Sequence, residues 1–85
     1  MRWQVALTPA AERDFKKLDR TVQRRVLASL ELLAETPLPL GVKRLVGLEA
    51  TYRIRLGDYR LLYRLEEATV VVVVIKIAHR REVYR

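Results

Sequence analysis

Arg53, Arg55 and Arg60 are spaced so that three guanidinium groups fall on one surface, and the chemistry that suits such a cluster is the holding of a phosphate. They lie in the stretch Tyr52-Arg53-Ile54-Arg55-Leu56-Gly57-Asp58-Tyr59-Arg60-Leu61-Leu62-Tyr63, whose two halves alternate apolar and polar as half-buried strands do. Gly57-Asp58 between them is a two-residue hairpin signal. That loop predicts Leu56 opposite Tyr59, Arg55 opposite Arg60, Ile54 opposite Leu61, Arg53 opposite Leu62 and Tyr52 opposite Tyr63. One face then carries Tyr52, Ile54, Leu56, Tyr59, Leu61 and Tyr63, which is a core, and the other carries the arginines. Like charges directly opposed on a sheet destabilise it. A face that keeps three of them is suited to an anion. Guanidinium groups grip phosphate oxygens bidentately and, aimed at a transition state, lower a phosphoryl-transfer barrier.

The ordinary reading of a strand arginine is a solvated edge or an ion-pair partner, and Arg64 has Glu66 and Glu67 within reach. His79 is the single histidine, the residue type that titrates near neutrality. Two roles are open to it: general acid or base, or a strand-end residue hydrogen-bonded to backbone. Arg13, Lys16, Lys17, Arg20, Arg24 and Arg25 form a solvated helical face that can also meet nucleic-acid backbone without reading sequence.

These side chains must be positioned by one small domain spanning 1–85. The net charge is +7, from 17 lysines and arginines against 10 acidic residues, which favours a polyanionic partner. Cysteine is absent, which removes disulfides and thiolate metal sites. There is no glycine-rich phosphate loop, acidic metal cluster or Ser/His/Asp arrangement, so neither metal nor cofactor is expected. No apolar run is long enough for a bilayer and no signal peptide follows Met1, so a cytoplasmic protein is expected.

Arg2 to Leu7 reads as a first strand. Thr8-Pro9 starts a helix running to about Leu18, with Thr8 as N-cap. Asp19 caps a second helix ending near Glu35, with Val22, Val26, Leu30 and Leu33 as its apolar stripe. Thr36-Pro37-Leu38-Pro39-Leu40-Gly41 stops it, and residues 42–50 carry no clear pattern. After the hairpin, Glu66-Glu67-Ala68 is a turn, and Thr69 to Ile77 is almost wholly β-branched without alternation. That predicts a central strand buried on both faces. The order β-α-α-β-β-β predicts an α+β fold, with the helical hairpin on one face of a small, mostly antiparallel sheet and a basic opposite face.

Tyr52-Arg53-Ile54-Arg55-Leu56, Asp58-Tyr59-Arg60-Leu61-Leu62-Tyr63 and His79-Arg80-Arg81-Glu82-Val83-Tyr84, in this order, resemble the RelE/ParE toxin superfamily over essentially the whole chain. The resemblance implies a RelE-like toxin of a type II toxin–antitoxin system. Such a toxin cuts mRNA in the ribosomal A site, the RNA's own 2′-hydroxyl attacking the adjacent phosphate. It implies the ribosome and mRNA as partners, a cognate antitoxin with an acidic helical segment, and a toxin–antitoxin hetero-oligomer. Carried across residue by residue, it implies that Arg53, Arg55 and Arg60 hold the scissile phosphate and that Arg80 stabilises its charge. It also implies that Tyr84 stacks on a base or orients the nucleophile, while His79 stays a candidate for acid or base beside its strand-end role. Lys43, Arg44, Arg64, Lys76 and Arg81 are the further RNA-binding candidates. In the best-known RelE-like toxins the positions of Arg53 and Arg55 hold lysines; an arginine stays protonated and orients phosphate rather than removing a proton. Two alternatives share the fold: a ParE-like toxin that inhibits DNA gyrase without nuclease chemistry, and an inactive relative that binds only RNA or antitoxin.

Overall fold

The computed structural model describes residues 2–79. The hairpin turn fixes the centre of the sheet. Gly57 takes φ +60°, the left-handed conformation that a two-residue turn with glycine in its first central position requires. It joins β3 (Thr51–Leu56) to β4 (Tyr59–Glu66), and the register is the one the alternation predicts, Leu56 opposite Tyr59 through Tyr52 opposite Tyr63.

Ahead of the hairpin come β1 (Gln4–Leu7), α1 (Pro9–Lys16), α2 (Arg20–Glu35) and β2 (Lys43–Arg44), and β5 (Val71–His79) follows it. Both helix starts are local. The Thr8 hydroxyl accepts from Ala11 N–H at 3.1 Å, and the Asp19 carboxylate accepts from Val22 N–H at 2.9 Å. The five strands form one sheet in the order β1-β5-β4-β3-β2, with β1 parallel to β5 and every other pair antiparallel. This is the expected α+β layout with one strand more, because Lys43–Arg44 pairs with Tyr52 and Arg53. Two residues are too few to show a period in sequence.

The core lies between the helices and one face of the sheet. Ala11, Val26, Leu30 and Leu33 pack on Leu61, Tyr63, Leu65, Val72, Val74 and Ile77, and Trp3, Phe15, Tyr52, Ile54 and Leu56 close its margins. The Tyr63 hydroxyl donates to Pro37 carbonyl at 2.7 Å, which satisfies the one polar atom of that buried ring. Burial first and the neighbouring Tyr52 second push its pKa up to about 12.

β5 is central, as its composition predicts, yet among the described residues the helices cover one face only, and on the other face Ala78, opposite Arg60, is the buried position. Val72, Val74 and Ile77 are buried, whereas Val71, Val73 and Ile75 are half-buried. The expected burial on both faces is not found along Val71–Ile75: both helices lie on one side, and no described element lies on the other. The strand also carries a β-bulge. Val74 pairs with Tyr63 and Lys76 with Leu62, so Ile75 is the extra residue. Thr8 ties it down, its hydroxyl donating to Ile75 carbonyl at 3.0 Å. Beyond the bulge the alternation is inverted: Lys76 faces outward, and Ile77 joins the core opposite Leu61. The β5 edge past the end of β1 is covered by α1, where Asp14 accepts from Ile77 N–H at 3.0 Å. Among the described residues, no helix is long and apolar enough to cross a membrane.

Candidate nucleic-acid interface

Alternation along β2, β3 and β4 places Lys43, Arg53, Arg55 and Arg60 on the face that the helices leave uncovered. Lys43 lies across from Arg53, and Arg55 across from Arg60, in the register of the sheet. With Gly41 they line a depression of about 160 Å³. Arg60 forms its floor at 6% exposure, Arg53 is half-buried and Arg55 and Lys43 are exposed. Among the described residues, no carboxylate forms an ion pair with Lys43, Arg53 or Arg55. Four cations therefore converge, three of them with no ion-paired carboxylate among the described residues, which makes a receptor for a small, highly charged anion such as a phosphodiester.

The other candidates fall elsewhere. Arg44 pairs with Tyr52, on the opposite alternation from Lys43, and lines a loop cleft with residues 45–49. Arg64 is on the open face but holds Glu66 at 3.2 Å. Lys76 bends round the sheet edge to Asp14 at 3.6 Å. His79 pairs with Tyr59, its ring edge-on to that tyrosine at 5.2 Å between centroids. Both line a cleft of about 210 Å³ with Asp14, Lys17, Leu18 and Ile77 on the helix side of the sheet. His79 is thus on the opposite face from the four cations. Arg80, Arg81 and Tyr84 lie outside the described residues.

Gly41 lines the depression without any signal in sequence beyond ending a proline-rich turn; its φ of +86° is one that side-chain-bearing residues rarely adopt.

A family model described as "ParE toxin of type II toxin-antitoxin system, parDE" matches residues 5–84. The chain belongs to the RelE/ParE toxin superfamily. Its relatives include Toxin RelG of Mycobacterium tuberculosis, 34% identical over all of this chain and 99% of RelG. Among solved structures, the RelBE2 toxin–antitoxin complex of Mycobacterium tuberculosis holds a chain that is 33% identical with a TM-score of 0.82, covering 94% of this chain and 100% of that one. The intact RelBE toxin–antitoxin complex of Escherichia coli holds another, 28% identical with a TM-score of 0.81, covering 91% and 95%. The chain is therefore a type II toxin of RelE-like structure, and its four-cation depression sits on the sheet face of a RelE/ParE fold.

Proposed function

We propose that this RelE/ParE chain is a ribosome-dependent endoribonuclease that cuts mRNA in the A site. The observation that carries the reading is the convergence of Lys43, Arg53, Arg55 and Arg60 on one depression. In-line attack of a 2′-hydroxyl on the adjacent phosphate places two negative charges on the phosphorane oxygens, and fixed guanidinium groups stabilise that charge more than they stabilise the starting diester. Arg60, held on the buried floor, gives the most rigid contact, and Arg53 and Arg55 orient the linkage from the neighbouring strand. The resemblance adds Arg80 for charge stabilisation and Tyr84 for stacking. Arg64 and Lys76, each engaged by a carboxylate, contribute less to RNA contact than the four. The ribosome supplies the message and its bend, and the toxin supplies cations at the bend.

The partner that neutralises it is, on this reading, a cognate antitoxin. The RelE-like neighbours from Mycobacterium tuberculosis and Escherichia coli are toxin–antitoxin complexes. A chain of charge +7 favours an acidic binding segment, with affinity that falls as salt rises.

A second reading has its own observation: the matching family model is described as a ParE toxin, and a ParE-like toxin would act on DNA gyrase instead. Parallel assays separate the two. Cleavage of mRNA on programmed ribosomes with supercoiling by gyrase unaffected supports the nuclease; gyrase inhibition with intact mRNA overturns it.

A further inference from the structure

The depression holds three groups that cannot give up a proton and one that can. We propose that Lys43 is the proton acceptor for the 2′-hydroxyl in this chain; the inference rests on the depression being the site of RNA cleavage.

Cleavage by an internal hydroxyl needs a base at the nucleophile, and guanidinium groups do not serve because they stay protonated. Of the residues lining the depression, Arg53, Arg55 and Arg60 are excluded on that ground, and Gly41 has no side chain. His79 is on the other face of the sheet with Tyr59. Tyr52 and Tyr63 belong to the core face as well, with their rings 5.8 Å apart. Asp58 sits in the hairpin turn and does not line the depression. Glu66, the carboxylate on the same face, is engaged by Arg64. Lys76, on the same face, is held by Asp14 at 3.6 Å and does not line the depression, so Lys43 is what remains among the described residues.

Its position fits the role. Lys43 is the cross-strand partner of Arg53, and such partners stand about 5 Å apart at their Cβ atoms. A phosphate gripped by Arg53 and Arg55 would therefore lie in the same depression as the lysine amine, one strand away. β2 is the edge strand, so the side chain enters the depression from its rim. Its segment is held at both ends, by Val42 N–H to Pro39 carbonyl at 3.3 Å and Leu45 N–H to Thr51 carbonyl at 2.9 Å. Gly41 ahead of it leaves the wall low, with nothing within 4 Å of where a Cβ would stand. The charged groups facing Lys43 across the depression are Arg53 and Arg55 from β3 and Arg60 from β4.

The step balances as follows. A Lys43 amine that has given its own proton to solvent takes the 2′-hydroxyl proton as the O2′–P bond forms. The P–O5′ bond then breaks, and the departing 5′-oxygen takes a proton from water. The products are a 2′,3′-cyclic phosphate and a 5′-hydroxyl, and the lysine returns its proton to solvent.

The test compares wild type with Lys43→Arg, Lys43→Gln and Lys43→Ala on mRNA-programmed ribosomes, measuring binding and single-turnover cleavage against pH. Lys43→Arg keeps the charge and is expected to bind within about threefold of wild type. Its cleavage is expected to be about 10²–10⁴-fold slower, with the rise in rate towards high pH lost. Added methylamine should restore part of the cleavage by Lys43→Ala. Lys43→Arg cleaving at the wild-type rate with the wild-type pH profile overturns the assignment and leaves the reading of the depression intact. Wild-type protein that leaves the message uncut removes both.

Discussion

Replacing Arg55 by threonine should make the protein more stable and less active at once. Arg55 lies directly opposite Arg60, with Arg53 two residues along the same face and Lys43 beyond it. A directly opposed like-charge pair costs about 0.2–1 kcal/mol, and threonine is at least as good a strand former as arginine. Removing one member should therefore stabilise the fold by about 0.5 kcal/mol, a rise in Tm of about 2–4 °C for a domain of this size. The gain depends on unscreened charge. In about 0.01 M salt the Debye length is about 30 Å and the whole cluster repels; in about 1 M salt it is about 3 Å, shorter than the cross-strand spacing. Urea melts of wild type and Arg55→Thr at the two salt concentrations measure this directly. The same variant should cut mRNA on ribosomes about 10²–10³-fold more slowly, the usual loss when one charge-stabilising donor is removed. Arg55→Thr that is less stable than wild type in low salt, or equally active, refutes the view that these cations are held together for a ligand at the expense of the fold.

Tyr63 gives a pH prediction. Its phenol is held neutral up to about 12, whereas in the unfolded chain it ionises near 10. Between those values the unfolded state sheds a proton that the folded state keeps. Stability is thus fully present below pH about 10 and falls by about 2 kcal/mol as pH rises towards about 12. Tyr63→Phe should lack this component of the fall in denaturant melts across that window. Asp14→Ala strands the Ile77 N–H that the carboxylate accepts, and should cost about 1–3 kcal/mol with faster amide exchange at Ile77; unchanged exchange would contradict the contact. Val70 holds φ +56°, which is strained for a β-branched residue, so Val70→Gly should leave stability unchanged or raise it by up to about 1 kcal/mol in the same melts.

What was legible in the sequence was local. The hairpin register follows from Gly57-Asp58 and a period of two, and Thr8 and Asp19 announce helix starts within three residues of the amides they cap. The bulge at Ile75 was not legible, because a run of valines and isoleucines reads the same in either alternation. Its consequence is functional: an unbroken alternation from Val74 would have turned Lys76 inward and His79 towards Arg60. With the bulge, His79 joins Tyr59 on the helix side. The break shows in the pairing with β4 and is held by contacts at α1, Thr8 to Ile75 and Asp14 to Ile77, partners more than sixty positions apart in sequence. β2 escaped for a different reason. Two residues show no period, so the sequence offers Lys43 only as a general RNA contact, and its place across from Arg53 is visible only in the sheet pairing.

The most direct test of the central claim maps the 5′ ends of mRNA on programmed ribosomes after incubation with wild-type protein and with an Arg53→Thr, Arg55→Thr, Arg60→Met triple variant whose folding is checked by circular dichroism. New 5′-hydroxyl ends within the A-site codon for wild type, and none above background for the folded variant, are the predicted result. Cleavage that survives loss of all three arginines, or a wild type that produces no such ends, would contradict it.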